Sequence, residues 1–558
     1  MRSSRYRFIV SLAALLCLSQ ATAVSAQTPV PDLSNDYADQ LQLQSIRVES
    51  IALEDNTLLE QRDVDQILAG YTGRQVSFEE LLAARDALTR LYVSAGYINS
   101  GVLISDQKVV DGHVVMSAVE GRLGEIRLRG NRWLSDRRIE AVFRRGLDDA
   151  LQVGELESAL RDMQRRPMIR RVNAELVPSS IRGISDLELA VEERAPVRLS
   201  FDTNNHRAPS VGEYQGVLAF SHQSLTGRED RLQASYALGD GVDDVGLAYS
   251  LPLTSGDLRG EVYYRKGNSD IVEAGFDQLD ITSDIETWGV NFNKPVLRGD
   301  SQEVTLGLGF ENLYAESSLL GEPFSFSAGE IDDRSEVSLL RGSLEWVWGG
   351  ERDALSLYTA VNVGVDWLGP SDASDIPMLP PEASSGIPDS DFTSLVAQLN
   401  YVRQLPWEGV RALLSLTWQH SDDPLLPTLK MVVGGAATVR GYRENQLVRD
   451  RGLVARGELR FPLFRDNDTL GPLGLQFAPF LDYGRGEDNP INLPGFADPS
   501  ADELASVGAG LLLTGYSPLA LGIYYGEPLI DTDTSGDSLQ ERGWHVRAAF
   551  SWSLPGLP

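Results

Sequence analysis

From residue 198 to the end of the chain, apolar and polar side chains alternate with a period of two. In the segment 231–238, Leu, Ala and Tyr occupy the even positions, while the odd positions are mainly Arg, Gln and Ser. The segments 304–311, 453–461 and 544–552 alternate in the same way. A period of two gives a β-strand one apolar and one polar face, whereas a helix needs a period of 3.6. This part of the chain is therefore predicted to consist of β-strands.

The lengths of the connections between these strands separate two architectures. Dipeptide turns are predicted at Thr226-Gly227, Ser255-Gly256, Gly350-Glu351 and Pro406-Trp407. Most of the other connections are long, at 267–282, 315–335, 367–390, 421–451, 485–503 and 527–541. A soluble β-sandwich has no reason to segregate loops by length, whereas a bacterial outer-membrane barrel does so and has an even number of strands. We therefore predict an all-β transmembrane barrel of about 16 antiparallel strands over residues 197–558, with its apolar face towards lipid.

Residues 45–196 show a different pattern, in which short strands and helices form two similar units. In the unit at 45–120, a strand is followed by two helices and two strands, and Ser77-Phe-Glu-Glu80 fits a capping box at a helix start. The unit at 121–196 repeats this order of elements. We predict two small α+β domains that precede the barrel.

The first 26 residues carry the pattern of a secretory signal peptide. Three arginines precede an apolar stretch of about ten residues, which is too short to span a bilayer, and Val24-Ser25-Ala26 places small residues before the expected cleavage site. The alternative is a membrane anchor. Residues 27–44 form a short polar segment. Cys17 is the only cysteine, so the mature chain is expected to have no disulfide and no cysteine metal site.

The composition narrows the range of partners. The 558 residues carry a formal net charge of −31, which argues against a basic groove for nucleic acid. A mean hydropathy of −0.17 excludes a multi-helix membrane protein but not a barrel, whose strands meet lipid only at every second residue. The second small unit is locally basic, with thirteen arginines against nine acidic residues between 122 and 175. Such a surface is either a solvated helix face or a docking surface for an unfolded acidic chain.

Two short motifs in the barrel region contain complementary charges. The connection 421–451 contains Val439-Arg440-Gly441-Tyr442, preceded by two glycines that allow a close approach of the backbone. A predicted strand further along the chain contains Phe480-Leu481-Asp482-Tyr483-Gly484, with Phe480, Asp482 and Gly484 on one face. A guanidinium group matches a carboxylate through two parallel hydrogen bonds, so Arg440 and Asp482 are predicted to pair. The alternative for Arg440 is a solvated side chain at a loop tip.

These motifs resemble those of the outer-membrane assembly superfamily. The Val439–Tyr442 segment resembles its VRGY/F motif in the sixth outside loop, and Phe480–Gly484 resembles the (F/G)xDxG partner motif on a barrel strand. The two small units resemble POTRA domains, and Leu91-Tyr92, Gly96-Tyr97 and Gln107–Gly112 are similar to the pattern of a first POTRA domain. Essentially the whole mature chain therefore resembles a TpsB transporter of two-partner secretion, a ShlB/FhaC/HecB-like haemolysin secretion/activation protein.

The resemblance implies a function and a set of partners. It implies that loop six folds into the lumen and that its arginine pairs with the strand aspartate. It also implies an outer-membrane transporter of a Gram-negative bacterium, whose periplasmic POTRA domains bind an unfolded TpsA-type client for export through the barrel without ATP. Candidate client contacts are Arg137, Arg138, Arg165 and Arg166 in the second unit. Further expected partners are outer-membrane lipid, lipopolysaccharide and the barrel-assembly machinery, and the transporter is expected to be a monomer.

Two features depart from the family pattern. Some members carry an N-terminal helix that plugs the barrel, followed by a long linker, but only about nineteen residues (27–45) precede the first small unit here. A helix that spans the lumen is therefore not expected. The chain also ends in Pro-Gly-Leu-Pro, so the terminal aromatic insertion signal is displaced inward to Phe550 or Trp552.

The sequence offers no catalytic set. The five histidines are scattered without ligand spacing, and neither a P-loop nor a Gly-x-Ser-x-Gly motif occurs. We therefore expect a non-enzyme with no cofactor and no metal. The alternatives are an outer-membrane insertase, which usually carries more POTRA units, a passive porin, which needs neither the small units nor the VRGY loop, and a barrel enzyme such as a lipase. The nature of the client, whether adhesin, haemolysin or another protein, stays open.

Overall fold

The computed structural model describes residues 45–145, 147, 150–254, 257–330, 333–372, 387–464, 474–491, 501–515, 518–532 and 536–554. The predicted signal peptide, the segment 27–44 and the question of a plug helix lie outside these residues. Among the described helices, none is both long and apolar enough to cross a bilayer. The chain divides into two compact units, one up to Glu120 and one from Gly121 onwards, and each is described separately.

The first unit combines two small sheets with two helices. Its strands are β1 (Ile46–Val48), β2 (Ser50–Glu54), β3 (Arg74–Val76), β4 (Gly101–Leu103) and β5 (His113–Val119), and its helices are α1 (Gln61–Leu68) and α2 (Phe78–Ser94). β1 pairs with β3, while β2 pairs in parallel with β5, which also pairs with β4. The predicted capping box forms, because the Ser77 hydroxyl accepts from the Glu80 amide and the Glu80 carboxylate accepts from the Ser77 amide. Val48, Leu88 and Met116 lie in its core.

The second unit begins with a sheet and a helix pair that repeat the order of β2, α1, α2, β4 and β5, without counterparts of β1 and β3. The elements are β6 (Arg122–Arg129), α3 (Asp136–Arg144), α4 (Val153–Arg165), β7 (Ile169–Pro178) and β8 (Ile184–Glu193). The central strand β8 pairs in parallel with β6 and antiparallel with β7, as β5 does with β2 and β4. We call this part, residues 121–196, the second repeat. Ile139, Phe143 and Leu187 lie in its core.

Sixteen long antiparallel strands then close into a barrel. They are β9 (Val197–Asn204), β10 (Gln215–Gln223), β11 (Arg231–Gly239), β12 (Val242–Pro252), β13 (Arg259–Asp270), β14 (Thr282–Arg298), β15 (Gln302–Leu319), β17 (Arg334–Gly349), β18 (Asp353–Gly364), β19 (Thr393–Gln404), β20 (Arg411–Ser421), β23 (Arg451–Phe464), β24 (Gly474–Glu487), β25 (Ala501–Thr514), β26 (Leu519–Pro528) and β27 (Trp544–Leu554). The two-residue strand β16 (Glu322–Pro323) extends β15. β27 pairs with β9 over eight residue pairs and closes the barrel. The predicted fold class is confirmed.

The alternation of apolar and polar residues corresponds to the outer and inner faces of the barrel, as predicted. Outward side chains are apolar and exposed, such as Val262, which is 52% exposed on β13. Its neighbours Glu261 and Tyr263 line the inside of the barrel. Short connections lie on the rim that carries the second repeat, and the long loops lie on the opposite rim. One connection on the long-loop rim is short, because only residues 240–241 separate β11 from β12.

Candidate functional site

The sixth connection on the long-loop rim folds back into the lumen. This connection, residues 422–450 between β20 and β23, is called loop six. It contains a small hairpin of β21 (Met431–Val433) and β22 (Leu447–Arg449). At its tip Gly434 and Gly435 adopt φ angles of 109° and 102°, in the left-handed region that glycine reaches without strain. These turns direct the segment that contains Arg440 towards the inner face of β24.

Arg440 is held by the side chain of Asp482, as the two motifs predict. The Arg440 Nε donates to Asp482 Oδ2 at 2.8 Å, and Nη2 donates to Oδ1 at 2.9 Å, which forms a two-pronged ion pair. The Arg440 backbone amide also donates to Oδ2 at 3.1 Å. Arg440 is 2% exposed and Asp482 is fully buried. Charge-assisted bonds of this geometry are about twice as strong as neutral ones.

A second carboxylate and two aromatic rings complete the surroundings of the guanidinium group. Glu458 on β23 accepts from Arg440 Nη1 and also from Arg460 Nε at 2.6 Å. The guanidinium carbon lies 3.6 Å from the centre of the Phe480 ring and 4.8 Å from that of Tyr524. The cation is thus paired in its plane and stacked on its faces, which are the two modes that guanidinium supports and ammonium does not.

Glycines on two barrel strands make room for loop six. A Cβ atom on Gly484 would lie 2.8 Å from Val439 Cγ2 and closer still to Val433. Gly526 on β26 faces Gly441, and a Cβ on Gly526 would lie 2.8 Å from the Gly441 nitrogen. The aspartate motif therefore supplies a charge at Asp482 and an empty space at Gly484, two residues away on the same face.

Further bonds connect loop six to the last strands of the barrel. The Gly441 amide donates to His545 Nε2 at 3.1 Å, which attaches the loop to β27. The Tyr442 hydroxyl lies 2.8 Å from the carbonyl oxygens of Ala505 and Ile530. Tyr442 is 3% exposed and Val439 is fully buried. All four residues of the Val439–Tyr442 motif thus contact the barrel, and together they fix one position of the loop.

Sequence reasoning missed three participants in this site, namely Glu458, Tyr524 and His545. A signal was present for Glu458, because Arg456, Glu458 and Arg460 occupy the polar face of one alternating strand. Arg456 Nη1 donates to the Ala437 carbonyl of loop six at 2.7 Å. No local pattern marks Tyr524 or His545. Within the described part of the chain, no cluster of His, Cys, Asp or Glu is arranged to hold a metal ion.

The arginines predicted as client contacts occupy different environments. Arg137 is exposed. Arg138 Nε donates to Glu229 at 2.7 Å, and Arg166 Nη1 donates to the same carboxylate, which lies in the turn between β10 and β11. Only 12% and 10% of the Arg138 and Arg166 side chains are exposed. These two arginines therefore hold the second repeat against the barrel instead of facing a client.

Asp257, in the turn before β13, also lies near both arginines, at 3.4 Å from Arg138 and 3.8 Å from Arg166. We call Arg138, Arg166, Glu229 and Asp257 the repeat–barrel clamp. Arg165 Nη1 donates to the Gly299 carbonyl at 2.9 Å in the turn before β15, although 44% of its side chain stays exposed. Burial alone would raise the pKa of Asp257, but the nearby guanidinium groups of Arg166 and Arg145 outweigh burial and hold this pKa below its usual value. The clamp is therefore a network of charges at the rim of the barrel.

We expect Glu229→Ala to loosen the second repeat. The substitution removes the carboxylate that Arg138 and Arg166 share and leaves them only Asp257 and, for Arg166, Asp162. Loss of one partner from a buried ion-pair network is destabilising. Amide hydrogen exchange in α3 should increase by about tenfold or more. Glu192→Ala is the matched control, because Glu192 forms an exposed pair with Arg170 at 2.8 Å, and such pairs contribute little. Equal exchange rates in the two variants would contradict the clamp.

The sequence is similar to that of a family of secretion proteins and to two curated transporters. The sequence profile of the haemolysin secretion/activation protein ShlB/FhaC/HecB matches residues 183–512, and that of the ShlB-type POTRA domain matches residues 46–121. The outer membrane transporter CdiB of Dickeya dadantii is 24% identical over 417 residues, which cover 74% of this chain and 71% of the relative. The heme/hemopexin transporter protein HuxB of Haemophilus influenzae is 21% identical over 497 residues, or 86% of this chain and 82% of the relative.

Solved structures show the same fold. The structure of CdiB from Escherichia coli superimposes with a TM-score of 0.64 at 21% identity and covers 94% of this chain and 93% of that one. The structure of BamA from Haemophilus ducreyi lacking POTRA domains 1–3 superimposes with a TM-score of 0.53 at 14% identity, covering 91% of this chain and 100% of that one. At these low identities, the similarity to CdiB and to BamA is one of fold alone.

Proposed function

This chain belongs to the haemolysin secretion/activation protein family ShlB/FhaC/HecB, and from that premise we propose that it recognises an unfolded client in the periplasm and exports it without ATP. The family and its relatives are outer-membrane transporters of two-partner secretion. The barrel therefore lies in the outer membrane with its POTRA part in the periplasm, as the sequence predicts. Transporters of this family act with TpsA-type partner proteins, so the client is a protein of that type.

The observation that carries the proposal is the position of loop six inside the lumen. Arg440 is bound through three donors to Asp482 and through a fourth to Glu458, so the loop has one defined place in the path of a translocating chain. A passive porin has no need for such an internal anchor. The likeness to BamA concerns the fold alone and does not favour the insertase alternative.

The proposed route begins at the periplasmic units. The strand β2 pairs only with β5 among the described residues, so its other edge can accept an extended client segment by strand addition. Arg137 of the second repeat remains a proposed client contact, because its side chain is exposed. The client then passes through the lumen as an extended chain, and folding outside prevents its return. Contact with lipopolysaccharide, assembly by the barrel-assembly machinery and a monomeric state are parts of the same proposal.

Removal of the first unit tests client recognition. We expect a variant without residues 45–120 to lose export of its TpsA-type client, because the strand edge that would receive the client is gone. The second unit, which includes the whole barrel, should still assemble, and heat-modifiable migration in electrophoresis would report this. The measured quantity is client in the culture medium. A fall in the amounts of other outer-membrane barrels on loss of the full chain would instead indicate an insertase.

A further inference from the structure

A cavity of about 1290 Å³ opens inside the barrel beside the second repeat. It extends from the segment that links β8 to β9 onto the inner faces of β9 to β13. These strands start or end at the rim that carries the second repeat, so a chain that enters the lumen from the periplasm reaches this cavity before loop six. We call this cavity the vestibule.

The lining of the vestibule is basic in a chain whose net charge is −31. Its charged side chains comprise five arginines and two glutamates: Arg170, Arg194, Arg198, Arg231, Arg265, Glu193 and Glu261. The Glu193 carboxylate is already engaged, because it accepts from the backbone amides of Arg132, Trp133 and Leu134 at 2.8 to 2.9 Å. The excess of positive charge is therefore local and runs against the composition of the protein.

Most of these arginines lack a partner of opposite charge. Among the described residues, no carboxylate lies within 4.0 Å of Arg194, Arg198, Arg231 or Arg265, which we call the vestibule arginines. Arg231 donates to the amide oxygen of Gln223, and Arg265 lies over the Tyr263 ring at 5.2 Å. Deeper in the lumen the arginines are paired, as Arg440 is with Asp482. The vestibule therefore presents positive charge that the protein itself does not neutralise.

The strand registers place three vestibule arginines at three successive depths in the barrel. Arg198 on β9 and Gln233 on β11 both pair with Ser221 of β10, so they share one row across the sheet. Arg231 lies two residues nearer the rim than this row. Arg265 lies two residues deeper, because Tyr263 pairs with Ala248, which pairs with Gln233. Two residues of a strand span about 6.8 Å, and alternate strands are about 10 Å apart.

This spacing decides the kind of ligand. A single small anion cannot reach guanidinium groups that are spread over three alternate strands. An extended polypeptide places side chains of one face about 6.8 Å apart, so acidic residues along it can meet the arginines one after another. Carboxylates are the natural partners of guanidinium forks, and a confined cavity with charge of one sign concentrates ligands of the opposite sign.

We propose that the vestibule arginines form the first lumenal contact of the exported chain and favour extended segments rich in Asp and Glu. The inference rests on the proposed export function, because it names the chemistry of the segment that the lumen accepts. Lysine-rich segments are repelled at the same place. The carboxylates of the acidic segment neutralise the vestibule arginines. The segment leaves as the next segment of the exported chain enters.

The test uses the full-length protein in nanodiscs and two disordered 20-residue peptides that carry an uncharged dye. One peptide contains Glu at every third position among Gly and Ser, and the other contains Lys at the same positions. Fluorescence anisotropy should show at least about tenfold tighter binding of the Glu peptide at low salt, and this preference should shrink when salt approaches 0.3 M. Equal affinities for the two peptides would overturn the proposal.

Substitutions locate the binding. We expect the double variant Arg198→Gln/Arg265→Gln to bind the Glu peptide about fivefold more weakly, and Arg198→Lys/Arg265→Lys to retain most of the affinity. Arg182→Gln is the matched control, because it removes an exposed arginine of the second repeat that does not line the vestibule. If the loss followed Arg182→Gln instead, or if the double variant bound like the wild type, the vestibule assignment would be wrong. Heat-modifiable migration verifies that each variant contains a folded barrel.

The outcomes separate this inference from the proposed function. If the Glu peptide bound in the vestibule but no secreted protein depended on the chain, the export proposal would fail and the anionic preference would stand. If export depended on the chain but binding did not distinguish Glu from Lys, the vestibule assignment alone would fail.

Discussion

Arg440→Ala is expected to abolish client export while the sixteen-stranded barrel still assembles. The substitution leaves the buried carboxylates of Asp482 and Glu458 without the cation that they share, and breaking a buried pair in this way typically costs about 3–5 kcal/mol. Loop six would relieve this cost by leaving its place in the lumen. The barrel does not depend on the pair, because continuous backbone ladders join all sixteen strands. Secreted client is the measured quantity, and heat-modifiable migration reports assembly.

Two further substitutions sharpen this experiment. Arg440→Lys keeps the charge but loses the fork that reaches Asp482 and Glu458 together, so export should be reduced rather than restored to the wild-type level. Arg485→Ala is the matched control on the strand of Asp482, because Arg485 is 51% exposed and its carboxylate partners lie 4.0 Å away. It should export normally. Wild-type export by Arg440→Ala would show that the ion pair is dispensable.

The barrel and the central ion pair were predictable because both depend on strong local patterns. A period of two must place one face towards lipid, so the strands followed from the alternation. The Arg440 and Asp482 motifs each lie within five residues, and a guanidinium group and a carboxylate on facing elements have few alternative partners. The capping box at Ser77 was predictable for the same reason, because its bonds join residues three apart.

Other features depend on contacts that no local pattern records. The strand β15 was expected to end at about residue 314 but continues to Leu319, where Glu316, Ser317 and Ser318 no longer alternate with apolar residues. Beyond the lipid a strand needs only backbone pairing, so side-chain periodicity cannot mark its end. The sequence alone predicted that Arg138 and Arg166 belong to a free basic surface. Their partners, Glu229 and Asp257, lie more than sixty residues away in barrel turns. The charge of a sequence segment does not reveal whether the fold has already neutralised it.

Gly484→Val is expected to reduce client export by at least about tenfold without removing any charge. Any side chain at this position must compete for space with Val433 and Val439 of loop six, since a Cβ alone would lie 2.8 Å from Val439 Cγ2. Both neighbours are fully buried valines, which have few rotamers and cannot turn aside. Overpacking of such a site costs about 1–3 kcal/mol or more, so the loop has to move. Because Val439 directly precedes Arg440, this movement also pulls the guanidinium group away from Asp482.

The matched control and the rescue distinguish loop position from charge. Gly457→Val lies on the adjacent strand β23, where a Cβ would meet only the Leu481 carbonyl at 3.8 Å, and it should export normally. Gly484→Ala should have a milder defect, and addition of Val433→Ala should restore export because it removes the closest obstructing atom. If Gly484→Val exported normally while Arg440→Ala did not, the guanidinium group would act through its charge alone. Failure of both variants, with rescue by Val433→Ala, would show that export requires loop six to occupy the space that Gly484 leaves open.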